Sequence, residues 1–118
     1  FDGLAFTGGD RDVWTVEDRG IQHDWDMFDK DNALVRFRGA MDCAVTNCDL
    51  RNSGGGGIRV DLYGKDIEIT NNKIFNPGGT GVLLCGYGPG NKDVNKHHLV
   101  RNNEIHHIGQ LFWHSPAV

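Results

Sequence analysis

Apolar residues recur along this chain in short alternating runs, each broken within a few residues by Asn, Asp or Gly. Three stretches, "AVTNCDL", "EITNNKI" and "LVRNNEI", share one pattern: an apolar residue, an Asn two positions on, and another apolar residue three further. Asn47, Asn71 and Asn102 are separated by 24 and 31 residues. The sets Val45, Ile69, Val100 and Leu50, Ile74, Ile105 keep the same two spacings. Each unit closes on a glycine turn, at Gly54, Gly78 and Gly109. The period-two alternation of "KDIEITNNKI" predicts strands, and Asn and Gly interrupt every run too often for helices. Repeats in the twenties, built of short strands and turns, predict a parallel β-helix in which each unit is one coil stacked on the next.

In such a stack, equivalent turn residues lie about 4.8 Å apart. Asn amides at that spacing can hydrogen-bond from coil to coil, and Asn also accepts the left-handed backbone of a sharp corner. The paired asparagines are therefore read as structural corners. The third unit is longer by an insertion over residues 86–97, "GYGPGNKDVNKH", and the first holds a long inserted loop over residues 7–32.

Alternation also assigns faces. In "GIRVDLYG", Ile58, Val60 and Leu62 point inward and Arg59, Asp61 and Tyr63 outward; in "GVLLCGYG", Val82 and Leu84 point inward and Leu83, Cys85 and Tyr87 outward. In "ALVRFRG", Val35 and Phe37 point inward and Arg36 and Arg38 outward. Aligning this last run with the second needs a one-residue slip, which the Gly54–Gly57 run can supply. One outward patch then carries Arg36, Arg38, Arg59, Asp61, Tyr63 and Tyr87. Guanidinium groups read hydroxyls and carboxylates while aromatic rings stack on sugar faces, so the patch suits a glycan; a solvated, charge-paired sheet face is the plainer reading.

Two other segments approach that side. The 7–32 loop carries Trp14, His23, Asp24, Trp25, Asp26 and Phe28, and loops of this length inside a repeat are commonly functional. "FWHSPAV" would bring Trp113 and His114 to the edge of the patch, where a histidine can move protons near neutral pH. The adjacent pairs His97-His98 and His106-His107 are expected to point apart on a strand and to be surface residues rather than metal ligands. "DKDNAL" lacks the fifth and sixth positions of a calcium loop. No metal and no cofactor is predicted.

A chain of 118 residues with 17 Gly and 38% hydrophobic residues fits one domain with many turns. The net charge of −4, with scattered basic residues, argues against a nucleic-acid partner. No run of 18 apolar residues is present, so no membrane span is expected, and residues 1–10 lack the pattern of a signal peptide. Cys43, Cys48 and Cys85 match no zinc spacing and are read as small apolar fillers.

The recurrent "VTNCDL", "ITNNKI" and "VRNNEI" cores resemble the right-handed parallel β-helix proteins of the pectin-lyase-like superfamily. The phrases "GIRVDLYG", "GVLLCGYGPGNKDVNKH" and "FWHSPAV" are similar to bacterial carbohydrate-active members allied to glycoside hydrolase family 141. The resemblance implies an all-β fold of about three to four coils, part of a longer β-helix whose remaining coils complete it, and an extracellular or periplasmic setting. It also implies a plant or algal polysaccharide substrate, with Asp61 and Asp24 (or Asp26) as the paired carboxyl groups of a hydrolase. His23 and His114 would assist proton transfer or bind sugar, and Arg36, Arg38, Arg59, Tyr63, Tyr87, Trp25 and Trp113 would bind substrate. A polysaccharide lyase, with the arginines neutralising a uronate and His114 or Tyr63 as base, is the first alternative. A non-catalytic glycan-binding or structural β-helix is the second.

Overall fold

The computed structural model describes residues 1–10, 33–87, 91–112 and 115–118. In chain order the strands are β1 (Ala5–Gly9), β2 (Ala33–Met41), β3 (Ala44–Thr46), β4 (Asp49–Ser53), β5 (Gly56–Lys65) and β6 (Glu68–Thr70). They continue with β7 (Lys73–Pro77), β8 (Val82–Cys85), β9 (Asn95–Lys96), β10 (Leu99–Arg101) and β11 (Glu104–His106). Three sheets run along the molecule: β1-β4-β7-β11, β3-β6-β10, and β2-β5-β8 with β9 also on β5. Every pairing among them is parallel. The protein is an all-β solenoid of about three to four stacked coils, a parallel β-helix.

The predicted rungs are in register. Val45 pairs with Ile69 and Ile69 with Val100, while Leu50 pairs with Ile74 and Ile74 with Ile105. Their side chains, with Val35, Phe37, Ile58, Val60, Ile67 and Val82, fill the interior. Such rungs remove apolar surface from water at about 25 cal/mol per Å2, the main force holding the coils together.

Each coil turns at left-handed residues five positions apart: Asp42, Asn47 and Asn52, then Asp66, Asn71 and Asn76, then His97, Asn102 and His107. The asparagine pairs mark one of these corners, as expected. The first Asn takes the left-handed turn, and the second points inward and ties the coils together. Asn72 accepts from the Cys48 N–H at 2.9 Å, donates to the Val45 carbonyl at 2.9 Å and donates to Asn103 Oδ1 at 3.0 Å. Asn103 repeats the contact one coil on, donating to the Ile69 carbonyl at 2.8 Å. In the preceding coil, buried Cys48 occupies the position of the second Asn, consistent with its reading as a filler.

The one-residue slip is real, but the glycine run does not absorb it. From Ala33↔Gly56 to Arg38↔Asp61 the offset is 23, and from Ala40↔Gly64 onward it is 24. The extra residue is a bulge within β5, where Leu62 sits at φ 57°. Leu62 is therefore half-buried at a kink rather than an inward rung. The third coil's seven extra residues enter at the same level, since β8 pairs up to Asp61↔Cys85 and β9 resumes at Gly64↔Asn95. Leu84, predicted inward, aligns with Val60 yet remains 39% exposed. The described chain beyond β8 reaches Gly81 and Val82 through the carbonyls of Pro116 and Ala117, and no described strand covers Leu84.

Candidate functional site

The outer face of the β2-β5-β8 sheet carries the arginines that alternation sends outward. In-register pairing puts Arg36 beside Arg59 and Arg38 beside Asp61, while Arg59 and Asp61 are two residues apart on β5. All three guanidinium groups converge on the one carboxylate. Arg36 donates from Nε at 3.0 Å and from Nη2 at 2.7 Å to Asp61 Oδ2. Arg38 donates from Nε to Oδ1 at 3.0 Å, and Arg59 from Nε to Oδ2 at 2.9 Å.

Asp61 was expected to project into solvent. It lies on the outward side of the strand but is 0% exposed, enclosed by the guanidinium groups it accepts from. Burial alone would raise its pKa, and hydrogen bonds from Arg36, Arg38 and Arg59 overcome that and hold it below the ordinary carboxylate value. A carboxylate in this state is an ionised hub, unsuited to donating a proton. Arg59 is equally enclosed, at 1% exposure, whereas the Arg36 side chain is 18% and the Arg38 side chain 39% exposed. Access to the cluster from solvent is through Arg36 and Arg38.

A cavity opens beside the cluster. It is lined by Ile58 and Arg59 of β5, Leu83 of β8, and Thr80, Phe112 and Ser115. The segment carrying Phe112 packs closely on the turn beneath it at Gly78, where a Cβ would stand 3.1 Å from Leu111 Cδ1 and 2.6 Å from the Gly54 carbonyl oxygen. The Phe112 N–H donates to the Gly78 carbonyl at 2.8 Å, and Ser115 Oγ donates to the Phe112 carbonyl at 2.9 Å. Sequence reasoning did not single out Thr80, Phe112 or Ser115. The signal was the "PGGTG" turn, whose small residues leave room for a segment to pack on top.

The remaining candidates separate. Tyr63 lies beyond the bulge and donates from its hydroxyl to Met41 Sδ at 2.8 Å. Tyr87 is solvent-facing, with Lys92 Nζ 4.4 Å from its ring centroid. Neither ring hydrogen-bonds the arginine cluster in these contacts. His23, Asp24, Trp25 and Asp26 of the long loop, and Trp113 and His114, lie outside the described residues. Cys85 aligns with Asp61 on β8, and burial raises its thiol pKa.

The histidine pairs differ from each other. His106 and His107 were expected to point apart, but His107 takes a left-handed corner at φ 52°, and this turns its Nδ1 to 2.6 Å from His106 Nδ1. His97 faces Asp66 at 3.5 Å while His98 turns to the backbone of Ile67. Among the described residues, no group of three or more His, Cys, Asp or Glu side chains is arranged to hold a metal ion.

Compared with known proteins, the chain matches a family described as the right-handed β-helix region over residues 28–114. No curated protein and no solved structure matches it. The matched span covers the corners, the rungs and the arginine face, and by it this chain belongs to the right-handed β-helix family.

Proposed function

We propose that this β-helix domain is carbohydrate-active and that its β2-β5-β8 face takes an acidic polysaccharide, the anionic groups meeting Arg36 and Arg38. The observation that carries the reading is the convergence of Arg36, Arg38 and Arg59 on Asp61. In a chain of net charge −4, the sheet face gathers three guanidinium groups at one place, and two of them, Arg36 and Arg38, reach solvent. A bidentate guanidinium fork is the side chain best matched to a carboxylate or sulfate on a sugar. The cavity supplies the complementary surface, with Leu83 and Phe112 for the apolar face of a ring and Thr80 and Ser115 for its hydroxyls.

Hydrolysis, the activity implied by the likeness to glycoside hydrolase family 141, needs two carboxyl groups about 5–5.5 or about 6.5–9.5 Å apart. Asp61 is the one acidic residue in β2, β5 and β8, and it is committed to the arginines. In this reading Asp61 positions the substrate-binding arginines, and the acid and base come from Asp24 and another group outside these strands, with His114 assisting. Elimination is the second reading, favoured by the same arginines. Guanidinium groups that neutralise a uronate carboxylate acidify the neighbouring C–H, and His114 or Tyr63 would take that proton. The C–H electron pair would form the ring C=C bond as the adjacent glycosidic C–O bond breaks, and the leaving oxygen would take a proton from solvent.

The test is incubation with polyuronates and with neutral plant and algal glycans, followed by chromatography and ultraviolet absorbance of the products. Saturated fragments from acidic glycans support hydrolysis, and unsaturated, absorbing fragments support elimination. Uncleaved acidic glycan that is nevertheless retained by the protein makes the face a binding module. Cleavage or retention confined to neutral glycans contradicts the proposal.

A further inference from the structure

The third coil's insertion leaves β5 at Cys85 and returns at Asn95, and a short polar chain pins the point of return. His98 Nδ1 accepts the backbone N–H of Ile67 at 3.3 Å. His98 Nε2 makes a short hydrogen bond to Asn95 Oδ1, and Asn95 Nδ2 donates to the Val60 carbonyl at 3.4 Å. Backbone bonds Gly64 N–H to Val94 O, 3.3 Å, and Asp66 N–H to Lys96 O, 3.2 Å, complete the attachment of β9 to β5. A Cβ on Gly64 would stand 2.5 Å from Val60 Cγ1 and 3.2 Å from Asn95 Oδ1, so the amide that meets the imidazole lies close against a bare residue 64.

These contacts fix the ring's protonation. Ile67 contributes a donor, so Nδ1 must be bare; the Asn95 amide nitrogen is used on Val60, so its oxygen accepts and Nε2 carries the hydrogen. Only the neutral imidazole satisfies both. Protonation at Nδ1 would set one N–H against another. We propose that His98 is a proton-operated latch: the neutral ring holds β9 on β5, and protonation releases β9 together with the end of the insertion that follows Tyr87. The device stands on this geometry alone and is independent of what the arginine face binds.

Nearby charges do not change the direction. Asp66 is shared between Lys65 at 3.4 Å and His97 at 3.5 Å, and Lys96 is paired with Asp93 at 2.8 Å. Burial lowers the His98 pKa, Asp66 opposes this, and His97 adds to the lowering. A histidine with a depressed folded-state pKa contributes stability that is complete above its ordinary value near 6.5 and is lost as pH falls below it. The latch is therefore closed at neutral pH and opens under mild acid.

Amide hydrogen exchange by NMR at about pH 7.5 and about pH 5, corrected for intrinsic rates, tests this in the intact chain and in His98→Gln. Gly64, Asp66 and Ile67 should lose protection at the lower pH in the parent chain, while Lys73 and Asn71 in the other sheets keep theirs. The variant should show no such pH step at Gly64 and Asp66. The parent chain also gives a readout needing no substitution: the His98 ring nitrogens should report a bare Nδ1 at neutral pH and protonate together with the loss of protection. Flat protection across pH, a uniform loss at all amides, or an unchanged pH step in His98→Gln overturns the proposal.

Discussion

A carboxylate that accepts from Arg36, Arg38 and Arg59 at once is held in its charged form, and its removal leaves three guanidinium groups packed together. Breaking a buried ion pair from one side costs about 3–5 kcal/mol. Asp61→Ala should therefore lower unfolding stability by about that much, measured by urea melts, whereas Arg38→Ala, at the exposed rim, should cost about 1 kcal/mol or less. The Asp61 contribution also depends on pH. Its folded pKa is depressed, so its stabilisation is complete above the ordinary carboxylate value and is lost as pH falls through the lowered value. Melts of the parent chain and Asp61→Asn should accordingly differ most near neutral pH and converge in strong acid. A difference that persisted unchanged into strong acid would rule out this role for the carboxylate. Alternation placed Asp61 on the correct side of β5, but a period-two pattern reports direction and not what lies above a side chain. Its enclosure depends on Arg36 and Arg38, which reach it from a strand 23 positions back along the chain.

At the level of strands and corners, cohesion between coils comes from polar ladders as well as apolar rungs. Asn72 is 2% exposed and bonds to Cys48, Val45 and Asn103. Asn76 also bridges coils, to Asn52 at 3.2 Å, but in solvent. Leaving buried partners unsatisfied costs about 1–3 kcal/mol, so Asn72→Ala should destabilise by at least that amount and Asn76→Ala by far less, on the same urea melts. Close stacking gives a second contrast. A Cβ on Gly57 would stand 2.5 Å from the Gly81 carbonyl oxygen and 2.7 Å from Ile74 Cγ2, both parts of the neighbouring coil. Gly57→Ala should push those coils apart at a cost of about 1–3 kcal/mol, seen as a lowered Tm. The corner at Asn47, Asn71 and Asn102 was legible because one residue type repeats there. The corner at Asp42, Asp66 and His97 has the same left-handed backbone but mixes residue types, so no identity repeat exposed it. The bulge at Leu62 was hidden for a related reason: Leu disfavours positive φ, and only the tertiary register requires it there.

For the whole molecule, the solenoid sets three outward faces, and on one of them the coil spacing gathers cations from β2 and β5 beside a cavity walled by Phe112 and Ser115. The fold was readable because it repeats; the geometry of the candidate face was readable only in part because it does not. The measurement that tests the account most directly is the affinity of the intact chain for an oligouronide and for the same oligomer with its carboxylates methyl-esterified, repeated with Arg38→Met. A hydrogen bond to a charged group contributes about 1.5–3 kcal/mol, or roughly 10- to 100-fold in Kd. The free acid should bind more tightly than the ester by about that factor, the preference should weaken in high salt, and Arg38→Met should remove most of it while the protein stays folded. Equal affinity for acid and ester, or an acid preference untouched in Arg38→Met, would contradict the reading of this face as an acidic-glycan site.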